Sequence, residues 1–477
     1  FTSEIDPEEY DIVWLSGGDI AATGATYTVT SADRGKTITV KAVGKKNYTG
    51  EVIGESGISI PSAAPKTSEP LPTQNEQDIT AEVVSGTTTT TIVDRAKLEA
   101  YLETAEKNSE IVIPISENNT STALLPLNTF GTMVEKDITL TVQSGSAAIS
   151  IPADSIDIEA VKVLFDAETE DSDLQGEIGD IHISITISQL SSDENAALHS
   201  KAESEGLEIL GSPVVFSISA SSNGKTVEVA SFNQYVQRSI EVTQEIAENV
   251  STVLVFEEDN TFRPVPTSVY FKDGKYYVVI ASLTNSTYVL VSQKVSFSDT
   301  DGKWYEDTVK EMASRQIIRG IGNSNFAGDK DITRAEFAAI IVRALGIPAK
   351  GVSTFSDVPK DMWYYGAVAA ATNYDIVSGR DKNRFDPMAK ITREEAMQMV
   401  FNASKLTPLE GINETVNSNA FSDYKEKSPW AIEAVDFNLT NSLILGSNGK
   451  INSKANITRG EAATVILRLL QKSTLVN

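Results

Sequence analysis

Ile332-Thr333-Arg334-Ala335-Glu336-Phe337-Ala338-Ala339-Ile340-Ile341-Val342-Arg343-Ala344 is the stretch from which the rest of the chain can be read. A threonine three residues ahead of a glutamate is a capping box. Its hydroxyl takes a free backbone N–H of the first turn, and the glutamate reaches back to the cap residue. Phe337, Ile340, Ile341 and Ala344 then follow at helical spacing, which gives the helix one apolar face. A helix starting at the threonine is therefore predicted, and its apolar face needs a partner.

The partner is written twice more. Thr392 with Glu395 and Thr458 with Glu461 repeat the box, each after an isoleucine and each with an arginine next to the threonine. Upstream of each box the same landmarks recur in order: Phe297-Ser298-Asp299, Phe355-Ser356-Asp357 and Phe421-Ser422-Asp423; then Trp304, Trp363 and Trp430; then Gly320, Gly379 and Gly446, each sixteen residues after its tryptophan. Internal repetition of this kind signals stacked copies of one supersecondary unit. Each unit reads as helix, loop, helix, the first helix stopping at the glycine. One helix pair is too small to bury its own apolar face, and three packed together share a core.

The capping box explains threonine and glutamate but not the arginine between them. A cation at the first helical position faces the positive end of the helix dipole, at a cost of ~0.3–1 kcal/mol. Its threefold recurrence points to a further task. The planar fork suits a carboxylate or phosphate, or else a salt bridge to a neighbouring repeat, such as to one of the opening aspartates. The other landmarks are equally two-sided. A tryptophan at a helix start packs inward or offers a face to sugar C–H groups. An aspartate caps a helix or accepts from a hydroxyl, and a glycine ends a helix or permits close approach.

These motifs, with Thr333–Glu336 reading TRAE, resemble the S-layer-homology domain triplet over roughly 297–470. The resemblance implies an all-α pseudo-threefold trefoil, with repeats at 293–350, 351–415 and 416–477. It implies grooves that bind secondary cell wall polymer ending in pyruvylated N-acetylmannosamine, whose pyruvate carboxylate meets the motif arginine. The implied glycan-binding set is Asp299, Trp304, Gly320 and Arg334; Asp357, Trp363, Gly379 and Arg393; and Asp423, Trp430, Gly446 and Arg459. The protein so implied is a non-enzymatic wall anchor on the outside of a Gram-positive cell. It needs no cofactor or metal, and self-association in a surface layer is a further expectation. The third repeat departs from the pattern. Its motif is TRGE, with Gly460 in the first turn, and its loop from Gly446 to Ile451 is one residue shorter, with no counterpart to Phe326 and Phe385. The loop around 405–419 is longer. Arg459 is accordingly expected to matter least, unless each groove is shared between neighbouring repeats.

Upstream the chain is β-rich. Residues 1–60 alternate in short runs around Trp14 and the turn Asp33-Arg34-Gly35, and resemble part of a bacterial immunoglobulin-like module. The strands that would open such a module are missing, so the chain reads as a piece of a longer protein. Residues 61–78, with Pro61, Pro65, Pro70 and Pro72, read as an extended linker. Residues 79–292 show one helix from Asp94 and strands at 111–115, 138–142, 147–151, 181–187, 214–219, 226–229, 252–256 and 276–280. Two look-alike hairpins, at 138–156 and 214–232, suggest two related lobes or one large sandwich.

Charge and composition narrow the function further. Basic and acidic residues balance, 22 of each, over Phe297–Asn477, so the whole net charge of −26 lies upstream. An acidic upstream region argues against nucleic acid there. The chain has no cysteine and two histidines, His182 and His199, which removes thiol chemistry and nearly every zinc arrangement. His182 falls on the face opposite the isoleucines of its strand and reads as a surface residue. No apolar run reaches the ~18–20 residues a membrane helix needs. Carboxylates abound in 79–292, so a glycan-active enzyme or an adhesive assembly module there, or upstream of residue 1, is the alternative function.

Overall fold

The computed structural model describes residues 10–16, 19–23, 37–44, 51–53, 58–59, 79–166, 181–407, 409 and 416–477. The chain divides into two compact units, Phe1–Glu69 and Pro70–Asn477. In the first, strand Tyr10–Ser16 pairs antiparallel with Asp19–Thr23 and Thr37–Gly44, and the latter also pairs with Glu51–Ile53 and Ile58–Ser59. Trp14 sits half-buried on the central strand. The expected turn at Asp33-Arg34-Gly35 and the linker 61–78 lie outside the described residues.

In the second unit two sheets share one core. A six-stranded sheet runs in the order Thr267–Lys272, Lys275–Thr284, Ser231–Val242, Ala147–Pro152, Thr139–Ser144, Glu110–Ile115. A ten-stranded sheet has Val214–Ser222, His182–Gln189 and Thr120–Pro126 at its middle. Leu140, Ile149 and Ile113 from the first sheet meet Ile183, Ile218 and Leu125 from the second in a single buried cluster. The look-alike hairpins therefore belong to different sheets of one body. His182 is half-buried while Ile183, Ile185 and Ile187 alternate inward, as the period-two pattern requires.

The helix at Asp94 forms as α1 (Arg95–Thr104), with the Asp94 side chain accepting from Lys97 N–H. Four further helices form in this region beyond the one expected: α2 (Thr129–Glu135), α3 (Ile158–Asp166), α4 (Ser192–Ser204) and α5 (Gln244–Asn249). Three of them span nine residues or fewer, and the longest, α4, buries only Leu198 and Ala202. A capping box between Ser191 and Glu194 opens α4, and the Thr243 side chain opens α5.

The C-terminal part is helical. Each repeat gives a first helix, α6 (Glu306–Ser314), α8 (Tyr365–Asn373) and α10 (Ile432–Thr440), and a second, α7 (Arg334–Ala344), α9 (Arg393–Ser404) and α11 (Arg459–Lys472). All three capping boxes are formed. The first helices, however, do not stop at the glycines. They stop at Gln316, Asp375 and Ser442, which take positive φ. The next residue's N–H then reaches back to Met312, Ala371 and Asn438, closing a Schellman motif without glycine.

The two parts of this unit are not strung apart. Ala281 and Leu283 of the six-stranded sheet belong to the helical core. Tyr235 donates to Leu345 C=O at 2.8 Å, Arg315 to Thr267 C=O at 2.8 Å, and Arg263 to Gly346 C=O. Asn477 bonds both backbone groups of Val269.

Candidate functional site: three seams between repeats

The motif segments close a ring. Ile332 N–H donates to Ile457 C=O, Ile457 N–H to Ile391 C=O, and Ile391 N–H to Ile332 C=O, at 3.1, 3.1 and 3.2 Å. The first two backbone N–H groups of each second helix, which no helix can satisfy internally, are met by carbonyls of another repeat. Arg334 and Ala335 donate to Ala389 and Pro387, Arg393 and Glu394 to Ala455 and Ser453, Arg459 and Gly460 to Lys330 and Gly328. Those carbonyls take up the positive end of the dipole, so the arginine placed there is tolerated.

The arginines follow the same rotation. Arg334 Nε donates to Phe385 C=O at 2.8 Å and Nη1 to Glu395 at 3.1 Å. Arg393 reaches Ile451 C=O at 2.9 Å and Glu461 at 2.5 Å. Arg459 reaches Phe326 C=O at 3.0 Å and Glu336 at 3.3 Å. Each partner is the capping glutamate of the following repeat, whose Oε2 still accepts from its own threonine N–H. One carboxylate thus caps a helix with one oxygen and ties in the preceding repeat with the other. The salt-bridge reading of the arginine is correct in kind, but its partner is this glutamate and not an opening aspartate. Burial pushes the Arg334 and Arg459 guanidinium pKa down, opposed mainly by Glu395 and Glu336 respectively.

The sequence-predicted residues fall into three sets that cross repeat boundaries. Arg334 belongs with the loop carrying Asp357, Trp363 and Gly379. Arg393 belongs with Asp423, Trp430 and Gly446, and Arg459 with Asp299, Trp304 and Gly320. The aspartates cap no helix: both oxygens of Asp299 accept from Phe326 and Ala327 N–H, those of Asp357 from Phe385 and Asp386, and those of Asp423 from Ile451 and Asn452, at 2.7–2.9 Å. Burial would raise the Asp299 and Asp423 carboxyls, and the two backbone donors outweigh it and hold them below the usual range. The glycines admit the opening phenylalanine. A Cβ on Gly320 would stand 2.5 Å from the Phe297 ring, and one on Gly379 or Gly446 would stand 2.7 Å from Phe355 or Phe421.

The loop phenylalanines are not sugar platforms. Phe326 and Phe385 are at most 1% exposed, and each lies under a guanidinium, Arg459 and Arg334, at 4.8 Å. The aromatic-free third loop lies under Arg393, so loop chemistry gives no reason to single out Arg459. Arg334 and Arg459 also place Nη2 on Ser378 and Arg319 C=O, at 3.1 and 2.9 Å. Among the described residues Arg393 makes no such third bond. Gly460 has its own reason: a Cβ there would stand 2.5 Å from Tyr305, whose ring fills that seam.

The tryptophans settle outside the core. Trp304, Trp363 and Trp430 are 65, 62 and 55% exposed, although each stands beside a buried helix. Trp304 and Trp363 meet the edge of Tyr305 and Tyr364 at 5.3 and 5.4 Å, while Trp430 is followed by Ala431. Two other clefts are seen. One of about 620 Å³ lies between Thr267 and Val269 of the sheet and Glu311, Arg315 and Leu467 of the helices. Another of about 210 Å³ is lined by Asp423, Lys450, Asn452, Ser453 and Lys454 beside the Arg393 seam. Among the described residues no cluster of potential metal ligands occurs, and no helix is long and apolar enough to cross a membrane.

Residues 296–338, 354–397 and 420–463 each match the S-layer homology domain. The chain is 33% identical over 261 residues to an amylopullulanase of Thermoanaerobacterium thermosulfurigenes, covering 52% of this chain and 14% of that protein. It is 34% identical over 194 residues to an exoglucanase, XynX, of Acetivibrio thermocellus, covering 40% and 18%. To the surface-layer 125 kDa protein of Lysinibacillus sphaericus it is 32% identical over 197 residues, covering 40% and 16%. The chain spans less than a fifth of the length of each of these relatives. Residues 296–463 thus carry three S-layer homology domains, and the chain is a wall-associated protein of the Gram-positive cell exterior.

Proposed function

We propose that the three domains hold this chain on the cell wall by binding pyruvylated secondary cell wall polymer, an N-acetylmannosamine-type glycan, in the three seams. The observation that carries this reading is the exposure of Trp304, Trp363 and Trp430. Trp304 rests on Tyr305, which packs on Gly460 next to Arg459, and Trp430 follows Ser428, which bonds Glu394 next to Arg393. An exposed indole face matches a sugar ring, and in this reading the motif arginine of the same seam meets its acidic substituent. In this reading the ring of helices is the trefoil, with 293–350, 351–415 and 416–477 as its units. Residues 1–60 form an immunoglobulin-like spacer, 61–78 a linker and 79–292 a β module with no catalytic part.

The test uses the full chain, because the β module packs on the first repeat and a cut near residue 293 would strip that contact. Full-length protein should pellet with purified wall sacculi, and chemical removal of the polymer should release it. Equal retention on polymer-free walls would sink the assignment. The enzyme reading is kept alive by relatives named amylopullulanase and exoglucanase. Release of reducing sugar from wall or plant glycans by the full chain would favour it.

A further inference from the structure

One position keeps its place in all three seams while its charge changes. Lys454, Met388 and Asp329 each stand four residues before the capping threonine, and the carbonyl just ahead of each accepts the N–H of the residue after the motif arginine. At the Arg393 seam, Lys454 donates to Glu394 at 2.8 Å and bonds Ser428, two residues before Trp430. The Glu394 side chain is 5% exposed and that of Lys454 54%, so the lysine is the member of the pair that faces solvent. At the Arg459 seam the order reverses. Asp329 pairs with Lys303 at 2.7 Å, and there the carboxylate is the more exposed partner, 66% against 44%. Met388 at the Arg334 seam is exposed and uncharged.

A second observation points the same way. Phenyl rings and a third hydrogen bond hold the Arg334 and Arg459 guanidinium groups in place. Among the described residues Arg393 has neither, its bonds running from Nε to Ile451 C=O and from Nη1 to Glu461. Lys454 lines the 210 Å³ cleft beside that seam, together with Lys450, Asp423 and Glu426. We propose that the position occupied by Lys454, Met388 and Asp329 sets each seam's preference for an acidic sugar, ranking the Arg393 seam first, Arg334 second and Arg459 last. This ranking rests on the seams being glycan sites. Its physical content is local: an exposed ammonium attracts a ligand carboxylate, an exposed carboxylate repels it, and a thioether does neither.

The probe is a pyruvylated N-acetylmannosamine disaccharide, titrated calorimetrically into the full chain beside its unpyruvylated counterpart. The variant Lys454→Met installs the thioether of the Arg334 seam and keeps the two bonds by which Ser428 holds the Glu394 carboxylate. Its tightest site for the acidic disaccharide should weaken about tenfold, with the unpyruvylated sugar unaffected. Lys454→Arg should keep the affinity, and Asp329→Asn should strengthen the weakest site by roughly threefold. Unchanged affinity in a natively folded Lys454→Met variant would overturn the ranking. Equal weakening for both sugars would overturn it too, since Lys454 would then only position the tryptophan arm. Failure of the wild-type chain to bind either disaccharide would instead remove the glycan reading itself, and the ranking with it.

Discussion

Arg238 of the β module and the three motif arginines are all buried, and they are buried by opposite means. Arg238 is fully buried and has no carboxylate partner among the described residues. Its charge is dispersed over Val236, Ser282 and Thr284 carbonyls and the Asn285 amide oxygen, with the Phe216, Phe232 and Tyr288 rings 5.0–5.9 Å away. Nε has no acceptor, and burial pushes the guanidinium pKa down. Arg334, Arg393 and Arg459 instead each meet a glutamate supplied by the next repeat. One solution is local to a core and the other is a joint between copies. A joint can be strengthened or rebuilt seam by seam, whereas a charge dissolved in a core can only be kept or lost.

The largest effect should therefore come from the β module. Arg238→Ala is expected to cost about 3–5 kcal/mol, because it empties a large volume and leaves carbonyls short of donors. Arg238→Met, which refills much of the volume, should cost about 1–2 kcal/mol. Denaturant unfolding of the two variants checks the order. If Met is as damaging as Ala, the hydrogen bonds and not the volume hold that core.

The ring should break next, and unevenly. Glu395 serves Arg334, Arg380 and its own cap at Thr392, whereas Glu336 and Glu461 serve one arginine and one cap each. Glu395→Ala is expected to lose about 2–3 kcal/mol and the other two about 1–2 kcal/mol. Thermal melts of the three single variants decide it, and equal losses would mean that Arg380 adds nothing.

Acid should weaken the ring at its loops. The Asp299 and Asp423 carboxyls have folded pKa values below their unfolded ones, so their contribution is complete above the unfolded aspartate value, about 3.9. It is lost as pH falls through the lower, folded value. Melting temperature should therefore fall on acidification below about pH 4, and Asp299→Asn with Asp423→Asn should lower it at neutral pH while flattening the acid decline. An unchanged acid slope would place the titrating groups elsewhere.

The ring was the legible part, for a physical reason. Its contacts are made by motif residues, so repetition in the sequence is repetition in space: threonine, arginine and glutamate recur because each seam is built alike. What could not be read was which copies meet. Spacing assigns the Gly446–Ile451 loop to its own repeat, yet backbone pairing of Ile332, Ile391 and Ile457 carries each arginine onto the loop of the next. The landmark glycines misled for a related reason. They are needed by a phenylalanine more than twenty residues earlier, and the helix stops fall on Gln316, Asp375 and Ser442, which carry no stop signal. In the β module some strands were legible from alternation, but the twelve-residue strand Ser231–Val242 and the Arg238 it carries were not. A single arginine inside a strand looks like a solvated one until three distant rings close over it.

The smallest effect on stability, and the largest on retention, should come from the tryptophans. Each is more than half exposed, so Trp430→Ala removes little buried apolar area and should change stability by about 0.5 kcal/mol or less. Trp304→Ala and Trp363→Ala should behave alike, apart from their edge contacts with Tyr305 and Tyr364, each of which adds up to ~1 kcal/mol. Trp430 lacks such a tyrosine, so Trp430→Ala isolates the indole itself. If the indoles are sugar platforms, the triple variant will melt near the wild type and fail to sediment with sacculi. If they are only the outer layer of the helical core, retention and stability will fall together, in proportion to the area each indole buries. The comparison is internal to one preparation, because the same melt certifies the fold for which binding is scored. A triple variant that melts normally and still sediments would leave the seams without a platform, and the anchoring contact would have to be sought in the arginines alone.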